Sequence, residues 1–245
     1  YDISETAYLY GGYYRKIDES NITFSSFSPG GKDLFSENNT NALDIGFDAS
    51  VKAFHFAGEF VYQLGDAGRL GGQELSRDAY AGFAQARYNF NHSAKPYLKL
   101  MYINFSGDSN LEDDKAEDYD PMFITSNIWN EWLIGQLVGE VQLSNSNKIA
   151  YIADAGFSPL PGMQMSFMFI KHYLAEQNLG VSRGRRALSN DDYANEWNFL
   201  VDYEVNKNMN AHFGAGYVIP GDAAKEFFGN NNDTFFSQMW LKFHF

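Results

Sequence analysis

Between residues 43 and 63 apolar and polar side chains alternate twice over. Leu43, Ile45, Phe47, Ala49 and Val51 fall on one side, with Asp44, Gly46, Asp48, Ser50 and Lys52 on the other. After a short link, Phe54, Phe56, Gly58, Phe60 and Tyr62 oppose His55, Ala57, Glu59, Val61 and Gln63. A period of two marks a β-strand with one apolar and one polar face, and the short link predicts a hairpin. The pattern recurs along the chain. The tyrosine-rich TAYLYGGYYRK at 6–16 predicts a first strand, and 80–90 pairs through NHSAK with 97–105. Ile149, Tyr151, Ala153, Ala155 and Phe157 face out against inward Ile152 and Asp154, before a turn at SPLPG and a return over 163–173. Trp197, Phe199, Val201, Tyr203 and Val205 then oppose Glu196, Asn198, Asp202 and Glu204. Beyond NKNMN, Ala211, Phe213, Ala215, Tyr217 and Ile219 oppose His212, Gly214 and Gly216, and FFSQMWLKFHF at 235–245 forms the final strand. Alternation thus predicts about ten strands.

The connections alternate as well. Long polar stretches lie near 19–41, 65–77, 106–147, 177–193 and 220–233, and short turns join the strands at the opposite end. A β-sandwich has no reason to gather every long loop at one end and to point aromatic residues outward from both strand ends. Outer-membrane barrels do both. The expected fold is therefore all-β: one transmembrane antiparallel up-and-down β-barrel domain spanning 1–245. Aromatic residues make up 17% of the 245, heavy for a soluble protein, and no stretch reaches the roughly 20 consecutive apolar residues of a membrane-spanning helix. The mean hydropathy of −0.39 is compatible with a barrel, because alternation cancels the signal on averaging. The closing aromatic residue, Phe245, after alternating apolar positions resembles the carboxy-terminal signal of outer-membrane barrels. That resemblance, with the loop pattern, leads us to expect a bacterial outer-membrane location with the carboxy terminus periplasmic. No secretory signal stands at Tyr1; either it has been removed or the chain begins partway through a longer one.

Several motifs sharpen the class. VYQLGD at 61–66, YINFSGDSN at 102–110, YDPMFITSNIWNEWLIGQL at 119–137, the SPLPG hairpin and IKHYLAEQ at 170–177 together resemble the alginate export family of outer-membrane porins. In that family a strand ending in Ser-Gly-Asp leads into a long loop with an Asp-Pro-aromatic element. The likeness covers much of 56–177 and continues weakly to the end. One departure is that Ser126, Asn127, Ile128 and Trp129 stand where the family has Asn-His-Lys after Asp-Pro. Family members usually have more strands, so the chain reads either as a shortened barrel or as the carboxy-terminal portion of a larger one. The resemblance implies passage of small hydrophilic solutes, sugar acids or polysaccharide.

If the polar faces point inward, the pore is lined by Asp44, Asp48, Glu59, Asp154, Glu196, Asp202 and Glu204, with Arg87, Lys99 and Lys242 as bases and Arg15 and Lys52 beside them. This wall leans acidic, whereas a conduit for a polyanion calls for an electropositive track. Solvated or mutually paired filler is the plainer reading of each charge taken singly. The segment after the fifth strand is far longer than an ordinary hairpin loop. It is expected to fold back as a constriction, with Asp108, Asp118, Asp120 and Trp129 near the narrowest part.

Other chemistry is thin. The formal net charge of −13 argues against nucleic acid, and without cysteine there is neither a disulfide nor a thiolate metal site. His55, His172, His212 and His244 fall on inward faces but on separate strands, without ligand spacing. No Ser-His-acid arrangement supports a hydrolase, and no cofactor is implied. Asp113 with Asp114 and Asp191 with Asp192 read as solvated loop charge or as divalent-cation bridges to lipopolysaccharide, and the basic RGRR at 183–186 reads as a solvated loop, with lipid A phosphates or a glycan carboxylate as the alternative ligands. The partners to expect are outer-membrane lipid, lipopolysaccharide and a hydrophilic solute. The rival function is a structural barrel that sheathes or docks partner proteins, which requires a plugged lumen.

Overall fold

The computed structural model describes residues 6–18, 38–70, 73–121, 138, 143, 145–179 and 186–244. Its long strands are β1 (Thr6–Asp18), β2 (Asn38–Val51), β3 (Phe54–Leu70), β4 (Gln73–Asn89), β5 (Tyr97–Phe105), β7 (Lys148–Phe157), β8 (Met163–Tyr173), β11 (Asp192–Asn206), β12 (Met209–Pro220) and β13 (Thr234–Phe243). Between them lie the short β6 (Lys115–Ala116), β9 (Asn178–Leu179) and β10 (Arg186–Ala187), and one helix, α1 (Asp222–Phe228). The long strands pair in the order β1-β2-β3-β4-β5-β7-β8-β11-β12-β13, each antiparallel to its neighbours. The result is an all-β, up-and-down meander. Among the described residues β1 and β13 do not pair with each other, so the sheet is open rather than closed on itself.

Register sorts the side chains. Because β2 pairs with β3 through Asp48↔Ala57 and Phe47↔Gly58, and β3 with β4 through Ala57↔Gln85 and Gly58↔Ala84, parity carries across the sheet unbroken. One face carries Ile45, Phe47, Phe56, Phe60, Leu100, Tyr151, Phe167 and Trp197, and these bulky apolar side chains are exposed, Leu100 at 57%. The other carries Gln63, Lys148, His172 and Glu196, all at 0% exposure. Water-soluble proteins bury the first kind and expose the second. Here the order is reversed along the exposed apolar face and, on the other, at these four positions.

Beyond the short β6, β9 and β10 within the expected loops 106–147 and 177–193, two further expected loops take on regular structure. Residues 65–77 read as a loop because of their glycines and polar residues, yet β3 and β4 continue through most of that stretch to Leu70 and from Gln73. A register shift between Asp66 and Gly68 absorbs the irregularity: Gly65 (φ 124°) and Gly68 (φ 96°) supply positive φ, and the Gly68 N–H donates to Asp66 Oδ1 at 2.7 Å. Residues 220–233 contain α1, whose DAAKEFF sequence is rich in helix formers and which ends at Gly229 in the left-handed region, φ 69°. Its Ala223 and Ala224 pack into an apolar cluster with Val138, Leu143, Leu174, Leu179, Leu188, Tyr193 and Val218 at the long-loop end of the sheet.

Candidate functional site

The residues expected to line a pore, Asp44, Asp48, Glu59, Arg87, Lys99, Asp154, Glu196, Asp202, Glu204 and Lys242, all share the face opposite the aromatic belt. Register sets His55, Arg87, Lys99 and Asp154 side by side across β3, β4, β5 and β7. Lys99 Nζ lies 3.0 Å from Asp154 Oδ2, and the Tyr97 hydroxyl donates to Asp154 Oδ1 at 3.2 Å. The Arg87 guanidinium sits 3.9 Å above the Tyr97 ring and donates through Nε to Asn89. His55 meets Asp48 at 3.0 Å, the Tyr10 hydroxyl donates to Glu59 at 2.9 Å, and His212 contacts Asp202. Most of these carboxylates are thus neutralised locally or hydrogen-bonded. At the short-turn end Asp202, Glu204, His212, Gln164, Asn210 and Lys95 line an open cleft of about 340 Å³.

The row Glu196 to Glu204, which alternation alone reads as a wet wall, divides. Asp202 and Glu204 open to solvent, but Glu196 and Asn198 are buried. Glu196 Oε2 lies 3.0 Å from His172 Nε2, and Lys148 joins them in burial. Alternation already puts Lys148 inward, one residue before outward Ile149, although its burial depends on what packs over it. Beside this group the same face is apolar: Ile103, Phe105, Ile152 and Ile170 form a cluster on which Tyr119 and Met101 pack.

Tyr119 belongs to a strap that crosses the sheet. Leaving β5, Ser106 receives the Tyr80 N–H and donates through Oγ to the Glu117 carbonyl at 2.6 Å. Arg77 Nη1 donates to the Asp118 carbonyl at 2.8 Å. Gln63 and Asp120 exchange a reciprocal pair of bonds at 2.6 and 3.0 Å, and Lys16 Nζ of β1 meets Asp120 Oδ2 at 3.1 Å. The strap therefore reaches from β5 over β4 and β3 to β1. Asp118 and Asp120 sit at its anchor points and Asp108 at its buried start. Trp129 lies outside the described residues. Lys16, Gln63 and Arg77 were not singled out by sequence, since their role depends on a partner far along the chain.

Other candidates resolve differently. Arg15, read as inward, stands on the outward face and donates to Asn39, because β1 pairs Arg15↔Asn41 on the side of Leu43 and Ile45. Lys52 occupies the tight turn after β2 at φ 54°. Of the RGRR segment, Arg186 is described, and its Nη2 donates to the Glu226 carbonyl near the end of α1 at 3.1 Å. His244 lies just beyond β13. Among the described residues no group of three or more histidines and carboxylates is placed to hold a metal.

The structure defines a class: an all-β antiparallel meander with exposed apolar side chains on one face, charged and polar groups on the other, and a strap laid across that second face. The model of the alginate export family matches residues 8–238, nearly the whole chain, and the chain belongs to that family. Membership points to export or channel function at the outer membrane. No curated protein matches the chain.

The strap gives a pH prediction. Burial, assisted by Asp118, Glu117 and Asp113, pushes the Asp108 carboxyl up to about 6 against the pull of the Asn110 N–H. A raised folded-state value means that its stabilising contribution is present in full below the ordinary carboxylate range and is lost as pH rises through about 6. Hydrogen exchange at 106–117, corrected for intrinsic rates, should show less protection at pH 7 than at pH 4.5, and Asp108→Asn should remove most of that difference. An unchanged pH dependence in the variant would assign the effect elsewhere.

Proposed function

We propose that the chain forms the wall of an outer-membrane channel for hydrophilic solutes, with the sheet closed as a barrel. The observation that carries this reading is the inverted burial, with Leu100 and its neighbours exposed and Glu196 and its neighbours covered; that arrangement suits hydrocarbon outside and water inside. An up-and-down meander of ten long strands sets β1 and β13 antiparallel, so closure between them requires no crossover. On this reading the apolar belt meets outer-membrane lipid and lipopolysaccharide. The long loops are extracellular, and the short turns and the carboxy terminus are periplasmic. Further strands or partner proteins would extend the wall if the barrel is larger than this sheet. The strap is the constriction, with Asp108, Asp118 and Asp120 near the narrowest part.

One observation favours a second reading. The inner wall is apolar around Ile103, Phe105 and Ile170, and the strap seals it, as in a plugged barrel that sheathes or docks partner proteins. Single-channel conductance separates the two.

Two measurements test the channel. Leu100→Arg, at an exposed position that would tolerate the change in water, should cost on the order of 2–4 kcal/mol of folding stability in bilayers, and Glu204→Arg much less. Equal losses would overturn the assignment of faces. Reversal potentials across a salt gradient should show weak cation preference or none, because inner carboxylates outnumber Lys and Arg and pore charges act at close range. Asp202→Asn with Glu204→Gln should shift the potential toward anions. Clear anion selectivity in the unmodified pore would instead favour a polyanionic sugar acid.

A further inference from the structure

We propose that the inner face of β1 is a stacking track for an uncharged, hydroxyl-rich glycan chain, a substrate class that rests on the reading of this face as a channel wall. Tyr8, Tyr10 and Tyr14 lie on the face shared with Asp44, Asp48 and Glu59, because β1 pairs Tyr8↔Asp48, Tyr10↔Gly46 and Tyr14↔Ala42. They are 64%, 42% and 51% exposed, whereas Gln63, Lys148, His172 and Glu196 on the same face are covered. Two of the rings lie against glycines. A Cβ on Gly46 would stand 2.3 Å from Tyr10 Cζ, and one on Gly12 would stand 3.0 Å from Tyr14 Cε2. Glycine at these positions lets a ring lie along the wall and turn its face to the lumen. A tyrosine in that pose offers an apolar plane for the C–H face of a sugar and keeps a hydroxyl for its polar edge.

The polar groups beside the rings accept hydrogen bonds and carry negative charge. Glu59 receives the Tyr10 hydroxyl, Asp48 meets His55, and the buried Asp44 Oδ1 has no partner among the described residues. Lys16, the ammonium on this face of β1, is tied to Asp120. Carboxylates of this kind take charge-assisted hydrogen bonds from sugar hydroxyls and repel a uronate. The opposite edge of the sheet carries Phe236 and Trp240 on the same face. The Phe236 ring lies against Gly216, and Trp240 stands 5.5 Å from His212. Barrel closure would bring β13 beside β1 and add these rings to the same face.

The test uses maltohexaose as the uncharged probe and an acidic oligouronate of the same length, read both as block of channel current and by calorimetry on the detergent-folded protein. Maltohexaose should block and bind, and the uronate should do both more weakly. Tyr10→Leu should raise the half-blocking concentration and the Kd about tenfold, the scale of one lost aromatic contact. Tyr10→Phe, which keeps the ring and loses the bond to Glu59, should stay close to the unmodified protein. Folding of each variant is checked by heat-modifiable gel mobility. A conducting channel that maltohexaose neither blocks nor binds overturns the track and leaves the channel standing. Binding without conduction overturns the channel and leaves the track. Tighter binding of the uronate, or a Tyr10→Leu protein indistinguishable from the unmodified one, also overturns the track.

Discussion

The sheet holds bulky apolar side chains exposed on one face and a set of charged and polar side chains on the other, and the rest of the architecture is built around that separation. An antiparallel meander pairs its backbone N–H and C=O groups between neighbouring strands except at its two edges, as a hydrocarbon surrounding would demand. The edges, β1 and β13, are therefore the weak points of the open sheet, and β1 exposes large side chains on both faces, among them Leu9 and Tyr8. Closing the two edges against each other would remove the unpaired rows and complete the separation of faces.

The interior has its own requirement. Lys148, His172 and Glu196 are ionisable groups at 0% exposure. Burying charge is costly unless partners compensate, and the His172–Glu196 contact at 3.0 Å is such a compensation. The apolar cluster formed by α1 and the loops lies at the long-loop end of the same region, and the strap runs from β5 over β4 and β3 to β1, with Tyr119 packed on the apolar wall that includes Ile103, Phe105, Ile152 and Ile170. The inner surface is thus uneven: covered at the long-loop end where the strap and loops are anchored, and open at Tyr8 of β1 and at the short-turn end near Asp202 and Glu204. Carboxylates outnumber Lys and Arg among the inner-face residues Asp44, Asp48, Glu59, Arg87, Lys99, Asp154, Glu196, Asp202, Glu204 and Lys242, which sets this chain's own residues against the polyanion in the name of its family.

Parity along a strand is local, so the alternation of Asp44, Asp48, Glu59 and Asp202 with aromatic neighbours gave their face directly. Where alternation is blurred it failed. The TAYLYGGYYRK segment has tyrosines on both sides, and Arg15 took the wrong face until its register with Asn41 was known. Burial of Glu196 and Asn198 was not legible either, since the groups that cover this wall come from distant loops. The reciprocal bonds of Gln63 with Asp120 and the ion pair of Lys16 with the same residue join positions far apart in the chain. No local pattern encodes them. The length of the segment after β5 did signal that it would fold back, without telling where it would be anchored. Helix α1 was missed although Gly229 is a helix-stop signal, because the polar residues around it read equally well as a loop.

The central claim is that the aromatic face meets lipid and the charged face does not. The chain has no cysteine, so single cysteines introduced one at a time report unambiguously. The direct measurement is spin-label accessibility in liposomes at consecutive positions 98–103 of β5, comparing molecular oxygen with a water-soluble nickel complex. The account predicts alternation with a period of two: labels at Leu98, Leu100 and Tyr102 favour oxygen, and those at Lys99, Met101 and Ile103 are shielded from it. Oxygen accessibility that is uniform along the strand, or highest at Lys99 and Met101, would contradict it.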